Sequence, residues 1–428
     1  MSEIIYIING LLDSIWNVLS YVWWFVLPLI LFFIAWDLRL NYLRDKFIKN
    51  IKWVMFEIRI PKENLKTPKA MEQIFASVHA IYTKEITGYD KHVKGKVAPW
   101  LSFEMVGHSG GIHFFIRTPV DYKNLVESAI FSQYSSAEIN EVEDYVPGYP
   151  SVLPNDVYDL WGTDYILAKD DPYPLKTYLY FEDKEEERRI DPLSIIAEVM
   201  SKLKTDETIW LQFLMKSTEP AIGNYKKKGQ EIIDKMLGRD KKAAKGGVGA
   251  ELYSFIDKFF MAPAEHPVWG VEKKEDAKRE PQLSSGEKDI IKAVENKISQ
   301  LAFETIIRFV YIDKKDAFTR QNISAVGGAF KQFNTENLNA LKPNSDVTTT
   351  KSGWIANIFT SYKKKVEYGM KRKIYDMYKY RMMIPKASIY SVEELATLYH
   401  IPSTGVEAPK MRRLGAKKAE PPAELPIG

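Results

Sequence analysis

Gly107-His108-Ser109-Gly110-Gly111 has the spacing G-x-S-x-G. In hydrolases this pattern marks a nucleophile elbow, where a strand turns sharply into a helix and leaves the serine hydroxyl beside an oxyanion hole. Here the following residues, IHFFIRTP from Ile112, alternate like a strand. The turn therefore reads as a β-hairpin and Ser109 as a turn residue. His108 and His113 lie across the same turn with Glu104 close by, which raises a metal site as an alternative. Zinc or iron needs three or four ligands in defined geometry, and six scattered histidines in a chain without cysteine supply no such set. The phosphate loop G-x-x-x-x-G-K-[ST] does not occur: HVKGKVAPW, from His92, lacks the upstream glycine and the following hydroxyl. GGIHFFIRT is loosely like the aromatic strand on which plait-fold RNA-binding domains stack bases, but it lacks the basic and glycine residues before the aromatics. Core packing is the better account of Phe114 and Phe115. We expect no enzymatic activity, no cofactor and no bound metal.

The densest run of chemistry-bearing residues is basic. Between Tyr362 and Arg381, Lys363, Lys364, Lys365, Lys371, Arg372, Lys373, Lys379 and Arg381 stand against Glu367 and Asp376 alone, interleaved with tyrosines. A helix of this kind suits phosphates, anionic lipid or an acidic protein surface. Lys363, Lys364, Lys365, Lys371, Arg372 and Lys373 are its candidate nucleic-acid or partner contacts. The plainer account is a solvated helix whose methionines and tyrosines are buried.

The elements that must position these residues begin with a membrane anchor. Ile15–Trp36, IWNVLSYVWWFVLPLILFFIAW, carries no charge, and at ~1.5 Å per residue it is about 33 Å long, enough to cross a bilayer core. No basic residue precedes it, whereas Arg39, Arg44, Lys46, Lys49 and Lys52 follow, so the N-terminus is expected outside and the remainder in the cytoplasm. A cleaved signal peptide would show the opposite flanks. Trp16, Trp23, Trp24 and Trp36 are candidate interface anchors. The whole chain of 428 residues is 45% apolar with a net charge of +4, so any preference for nucleic acid or lipid must be local. Without cysteine, disulfides and thiolate chemistry are excluded.

After the anchor, WVMFEIRIP reads as a strand and TPKAMEQIFASVHAIY as a helix with a threonine cap and a first-turn proline. The hairpin follows, then the helix DYKNLVESAIFSQY and the strand AEINEVEDY. The order β-α-β-β-α-β is that of a ferredoxin-like plait. A similar order recurs through DYILAK, a strand KTYLYF, the helix DPLSIIAEVMSKL opened by Asp191-Pro192, the strand TIWLQFLMKS, AFETIIRFVYIDK, the helix RQNISAVGGAFKQF and ENLNALKP. The expected fold class is α+β: a transmembrane helix, one or two ferredoxin-like domains and a C-terminal basic helix. Its expected domains are 1–52, anchor and juxtamembrane helix; 53–150, a ferredoxin-like domain; 151–350, a second α+β domain, with a duplicated ferredoxin-like fold as one reading, and a charged insertion at about 222–299; and 351–428, the basic helix and a linker toward a motor domain.

Two stretches carry a resemblance. YSVEELATLYHIPSTGVEAPKMRRLGAKKAEPPAELP, at the end, and GIHFFIRTPVDYKNLVESAIFSQYSSAEINEVEDY resemble the membrane-anchored N-terminal region of conjugation and type IV secretion ATPases of the FtsK/HerA-like class. In that family EELATLYHIP and a proline-rich approach lead into a RecA-like motor. The motor's phosphate loop does not occur in this sequence, so none of its catalytic residues carries over; the expectation is either a motor on a separate polypeptide or a chain cut or encoded as a truncated module. The resemblance implies a non-catalytic, single-pass inner-membrane component that docks or positions a separately encoded secretion-type ATPase for transfer of DNA or protein. The alternative is a membrane-tethered nucleic-acid-binding protein that captures the transfer substrate. Expected partners are membrane lipid, the ATPase, DNA and further copies of this chain. Leu395, Leu398, Tyr399 and Pro402 are the candidate motor-docking residues, and His400 is expected to be packed or capping.

Overall fold

The computed structural model describes residues 2–61, 66–82, 86–181, 191–239, 283–350, 360–383 and 387–402. They fall into two units, Met1–Trp53 with Thr83–Pro99 and Val54–Tyr82 with Trp100–Gly428.

The first unit is built on one helix, α1 (Ser2–Asn50), which runs unbroken through Pro28. Its stretch Trp23–Asn50 contains a window of mean hydropathy 1.7, long and apolar enough to cross a membrane. Trp23, Trp24, Phe25, Leu31 and Phe33 all stand exposed along it. A short helix, α2 (the five residues Gly88–His92), is capped by Thr87, whose hydroxyl accepts from the Asp90 amide at 3.3 Å.

In the second unit the elements follow one another as β1 (Trp53–Arg59), α3 (Pro68–Val78), β2 (Leu101–His108), β3 (Gly111–Pro119), α4 (Lys123–Gln133) and β4 (Glu138–Val142). A second series follows: β5 (Tyr158–Leu167), α5 (Ser194–Ser201), β6 (Thr208–Lys216), α6 (Glu219–Met236), α7 (Ser285–Ser299), β7 (Ala302–Lys314), α8 (Gln321–Lys331) and β8 (Leu341–Pro343). The chain then forms α9 (Thr360–Lys379), β9 (Ser388–Ser391) and α10 (Val392–Leu398). This is a mixed α+β unit around one sheet, in the order β4-β1-β3-β2-β6-β7-β5-β8, with β9 paired to β7. Stretches 53–150 and 151–350 share that sheet, because β2 and β6 pair antiparallel from Leu101↔Met215 to His108↔Thr208. The order of the second half mirrors that of the first. Where the first half has the tight turn after His108, the second has α6 and α7, which bury Ile233, Ile291 and Val294 together. Residues 240–282 of the expected insertion lie outside the described residues.

Strand alternation sends side chains to two faces. On one, Phe103, Met105, Leu211, Phe213, Ile307 and Phe309 pack with Phe75 of α3, Ile130 of α4, Met200 of α5, Phe330 of α8 and Leu395 of α10. On the other, Val106, Phe115, Trp210, Val310 and Ile312 pack with Ile374, Tyr375 and Tyr378 of α9. Helix α9 therefore buries one side, and it lies across the sheet face opposite α3, α4, α5, α8 and α10.

KTYLYF is not a strand. Tyr178–Tyr180 forms a single 3₁₀ turn. Side chains of α10 take one amide just before it and one within it: Leu175 N donates to Glu394 Oε1 at 2.7 Å and Tyr178 N to Thr397 Oγ1 at 2.9 Å. A buried amide accepts any well-placed partner, and here the partner is a helix more than 200 residues away in sequence.

Candidate functional site

Under α9 the sheet turns polar along one rung. Register places Glu104 of β2 opposite Gln212 of β6, Gln212 opposite Arg308 of β7, and Arg308 opposite Asp164 of β5. All four are buried. Gln212 Nε2 donates to Glu104 Oε1 at 3.1 Å, one Arg308 nitrogen donates to Gln212 Oε1 at 3.1 Å, and two donate to Asp164 at 2.8 and 3.2 Å. A helix ends with carbonyls that lack intrahelical partners. The sheet supplies donors for those of α9: Arg308 donates to Met377 O at 2.8 Å and Gln212 to Tyr378 O at 3.3 Å.

Arg381 closes this end of α9. Its φ is +49°, in the left-handed region that a helix terminus normally reserves for glycine. The Arg381 amide donates to Tyr378 O at 3.0 Å and the Met382 amide to Met377 O at 3.0 Å, the paired bonds of a Schellman motif. The side chain explains the departure from glycine. Its guanidinium, almost wholly buried, donates twice to Glu104, at 3.0 and 3.1 Å, and twice to Asp144, once at 2.9 Å. Ser102 Oγ and the Tyr145 hydroxyl also donate to Glu104, at 2.5 and 2.7 Å, and the Tyr145 and Tyr378 hydroxyls lie 2.5 Å apart.

Burial alone would raise the Glu104 carboxyl. The Arg381 guanidinium overrides that and, with the hydrogen bonds from Ser102 and Tyr145, holds it down to about 2. Burial, together with the like charge of Arg381, pulls Arg117 down to about 10, so it remains charged at neutral pH. Burial raises the hydroxyls of Tyr145 and Tyr378 well above their ordinary value. Three guanidiniums, of Arg117, Arg308 and Arg381, thus face three carboxylates, of Glu104, Asp144 and Asp164. Such an arrangement can hold one helix end on a sheet. Its groups are occupied with one another, which leaves it poorly suited to proton transfer.

Beside this network lies a cavity of about 300 Å³, lined by Glu57, His108, His113, Phe115, Glu143, Tyr145 and Tyr149 among others. His113 Nδ1 is 2.7 Å from Glu57 Oε1, and its ring stacks on that of His108 at 4.7 Å. Burial works against the Glu57 carboxylate, but hydrogen bonds to His113 and Arg59 keep its carboxyl below the ordinary value. Glu104, expected near these histidines, is committed to Arg381 instead. Among the described residues no group of three His, Asp or Glu side chains is arranged to hold a metal ion.

The expected contact residues separate. Lys364, Lys365, Arg372 and Lys373 are exposed on the outer face of α9, and Lys363 is half-buried. Lys371 is held by Asp159 at 2.6 and 2.7 Å. Trp23, Trp24 and Trp36 are exposed on α1, while the side chain of Trp16 lies outside the described residues.

The expected docking residues require correction. Leu395, Leu398, Tyr399 and Pro402 are buried. The Tyr399 ring meets those of Phe103 at 5.5 Å and Phe213 at 5.4 Å. The reason is the capping box of Ser391 and Glu394, which starts α10, together with the 3.0 Å pair of buried Glu394 and Lys297 that ties it to α7. These residues complete the core and present no face to a partner. Leu395→Ala is expected to destabilise the fold by about 2–5 kcal/mol, read as a lower urea midpoint. His400 is packed, with Nδ1 2.8 Å from Ala396 O and Nε2 3.0 Å from Asp191. The tail 403–428 lies outside the described residues.

The sequence reading missed Glu104, Gln212, Arg308, Asp164 and Arg381 as a set. A signal was present: LSFEMVG and TIIRFVYI each place one charge inside an otherwise apolar strand. A buried strand tolerates such a residue only with a partner.

One protein-family model matches the chain, over residues 43–413, and is described as a domain of unknown function (DUF8128). No curated protein matches it.

Proposed function

We propose that this chain, which belongs to the DUF8128 family, is a single-pass, non-catalytic inner-membrane component that positions a type IV secretion-like ATPase on the cytoplasmic side. The observation that carries the reading is α1, whose apolar side chains stand exposed over a stretch long enough to span a bilayer. The run Arg39, Arg44, Lys46, Lys49 and Lys52 immediately after the span supports an outside N-terminus and a cytoplasmic remainder. We read each half of the sheet as a ferredoxin-like plait, the two joined edge to edge through β2 and β6. The strand orders β4-β1-β3-β2 and β8-β5-β7-β6 support this reading. A scaffolding role is supported by the occupied charge network, which fixes geometry without leaving a poised acid or base.

Because Leu395, Leu398 and Tyr399 are buried, docking passes to exposed groups, above all Lys364, Lys365, Arg372 and Lys373. Full-length chain in detergent should retain a purified secretion-type motor ATPase. Changing the four cations to glutamate should weaken that retention by at least about tenfold, several cations at roughly 1 kcal/mol each. Failure to retain any motor of this class would sink the proposal.

The exposure of the same four cations also favours the second reading, a tethered nucleic-acid binder. In that case duplex DNA should bind with a log–log salt slope of about −3.6, lost in the four-glutamate variant. Motor retention without measurable DNA binding separates the first reading from the second.

A further inference from the structure

The first unit carries a surface that the anchor alone does not require. Segment 86–96 is fastened to α1 at the end of the apolar stretch. Arg39 donates to the His92 carbonyl at 3.0 Å, and the Trp36 ring lies 6.2 Å from that of His92. Gly95, at φ +67°, sits so close that a Cβ there would come within 2.4 Å of the Leu43 carbonyl carbon. Any other residue at 95 would lift the segment off the helix. From Trp36 to Leu43 is seven residues, about 10 Å at ~1.5 Å per residue, and the polar headgroup layer is roughly 5–8 Å deep on each side of a bilayer. A segment pinned at these points crosses the headgroup layer and reaches just past its outer edge.

Its chemistry suits that depth. Residues 37–53 and 86–99 together carry Arg39, Arg44, Lys46, Lys49, Lys52, Lys91, Lys94 and Lys96 against Asp37, Asp45 and Asp90. Lys94 is paired with Asp90 at 2.9 Å, which leaves a clear excess of positive charge. Among these cations stand exposed Leu38, Tyr42, Tyr89 and Val93. Amphipathic aromatic rings beside lysines are the composition of a lipid–water interface, and clustered lysines at the cytoplasmic exit of a span attract anionic headgroups.

We propose that α2 and its flanks form a second, electrostatic contact with the bilayer, which docks onto anionic phospholipid headgroups beside the exit of α1. The inference rests on the membrane-anchored reading. Docking through 86–96 would fix the rotation of α1 about its own axis, which a single span by itself leaves free.

The chain has no cysteine, so Val93→Cys in the full-length protein offers one site for an environment-sensitive dye. The labelled chain is reconstituted into vesicles of phosphatidylcholine with and without about one-third phosphatidylserine. Anionic vesicles should shift the dye emission to the blue and protect it from an aqueous quencher. Raised salt should reverse both effects. Each of Lys91→Gln, Lys94→Gln and Lys96→Gln should lower the docked-to-undocked ratio about fivefold, the equivalent of roughly one interfacial charge. Gly95→Ala should abolish the response while leaving the chain in the bilayer. A chain that floats with vesicles but shows the same emission in both lipids would overturn this inference alone. A chain that fails to float would overturn the anchor and the inference together. The same shift produced by duplex DNA over neutral vesicles would reassign the surface to nucleic acid.

Discussion

Arg381→Ala is expected to cost the folded chain about 3–5 kcal/mol, because it leaves Glu104 buried and ionised without its principal counter-charge. The loss should appear as a lower unfolding midpoint of the full-length protein in detergent. Near-ultraviolet dichroism should change with it, since Trp210 stacks on Tyr378 at 4.5 Å directly above the network. Arg381→Gly separates the two burdens on this residue. Glycine removes the charge but adopts φ +49° without strain, so it should be less damaging than alanine by roughly 1 kcal/mol. Equal losses would show that the left-handed backbone contributes nothing to the effect.

The same pair sets an acid limit. The folded value of Glu104, about 2, lies below its ordinary 4.5. Stability from the ionised carboxylate is therefore complete above about pH 4.5 and is lost as pH falls toward 2, for a total of about 3 kcal/mol. Glu104→Gln should be less stable at neutral pH and show a flatter decline between those limits. An unchanged acid profile in Glu104→Gln would remove Glu104 as its source.

Removal of residues 1–52 is expected to move the chain from the membrane pellet to the soluble fraction in one step. The span contributes a run of favourable apolar residues, each about 0.3–0.6 kcal/mol on the insertion scale, with no charge to oppose them. Orientation can be read in the same cells. A membrane-impermeant maleimide should label Ser2→Cys in intact cells and Lys364→Cys only after lysis. The opposite pattern would invert the topology and move the sheet unit to the outer side. A truncated chain that still pellets, and is released by high salt, would assign the membrane contact to the basic surfaces rather than to α1.

Much of the architecture was legible because its causes are local. The hairpin after His108 follows from turn residues between two alternating runs, and α3 from a threonine and proline ahead of helical spacing. The apolar helix follows from length and the absence of charge. KTYLYF misled because its alternation is that of a strand, whereas the Tyr178 amide is taken by Thr397 of a distant helix and those of Tyr180 and Phe181 by its own 3₁₀ turn. EELATLYHIP misled in a different way. Beside a proline-rich tail it reads as a junction, yet the capping box starts a helix whose Leu395, Leu398 and Tyr399 finish the core.

Thus the residues of this chain, taken in order, determined an apolar helix long enough to cross a membrane, followed by a mixed series of strands and helices. Periodicity, capping and charge bias act over a few residues and can be read along the chain. The tertiary structure alone decided that the two series share one sheet, that Glu104, Gln212, Arg308 and Asp164 fall on one rung, and that Arg381 takes a glycine's place above them. Those outcomes depend on register between strands as far apart as Glu104 and Arg308. A shift of one residue would send each of these side chains to the opposite face.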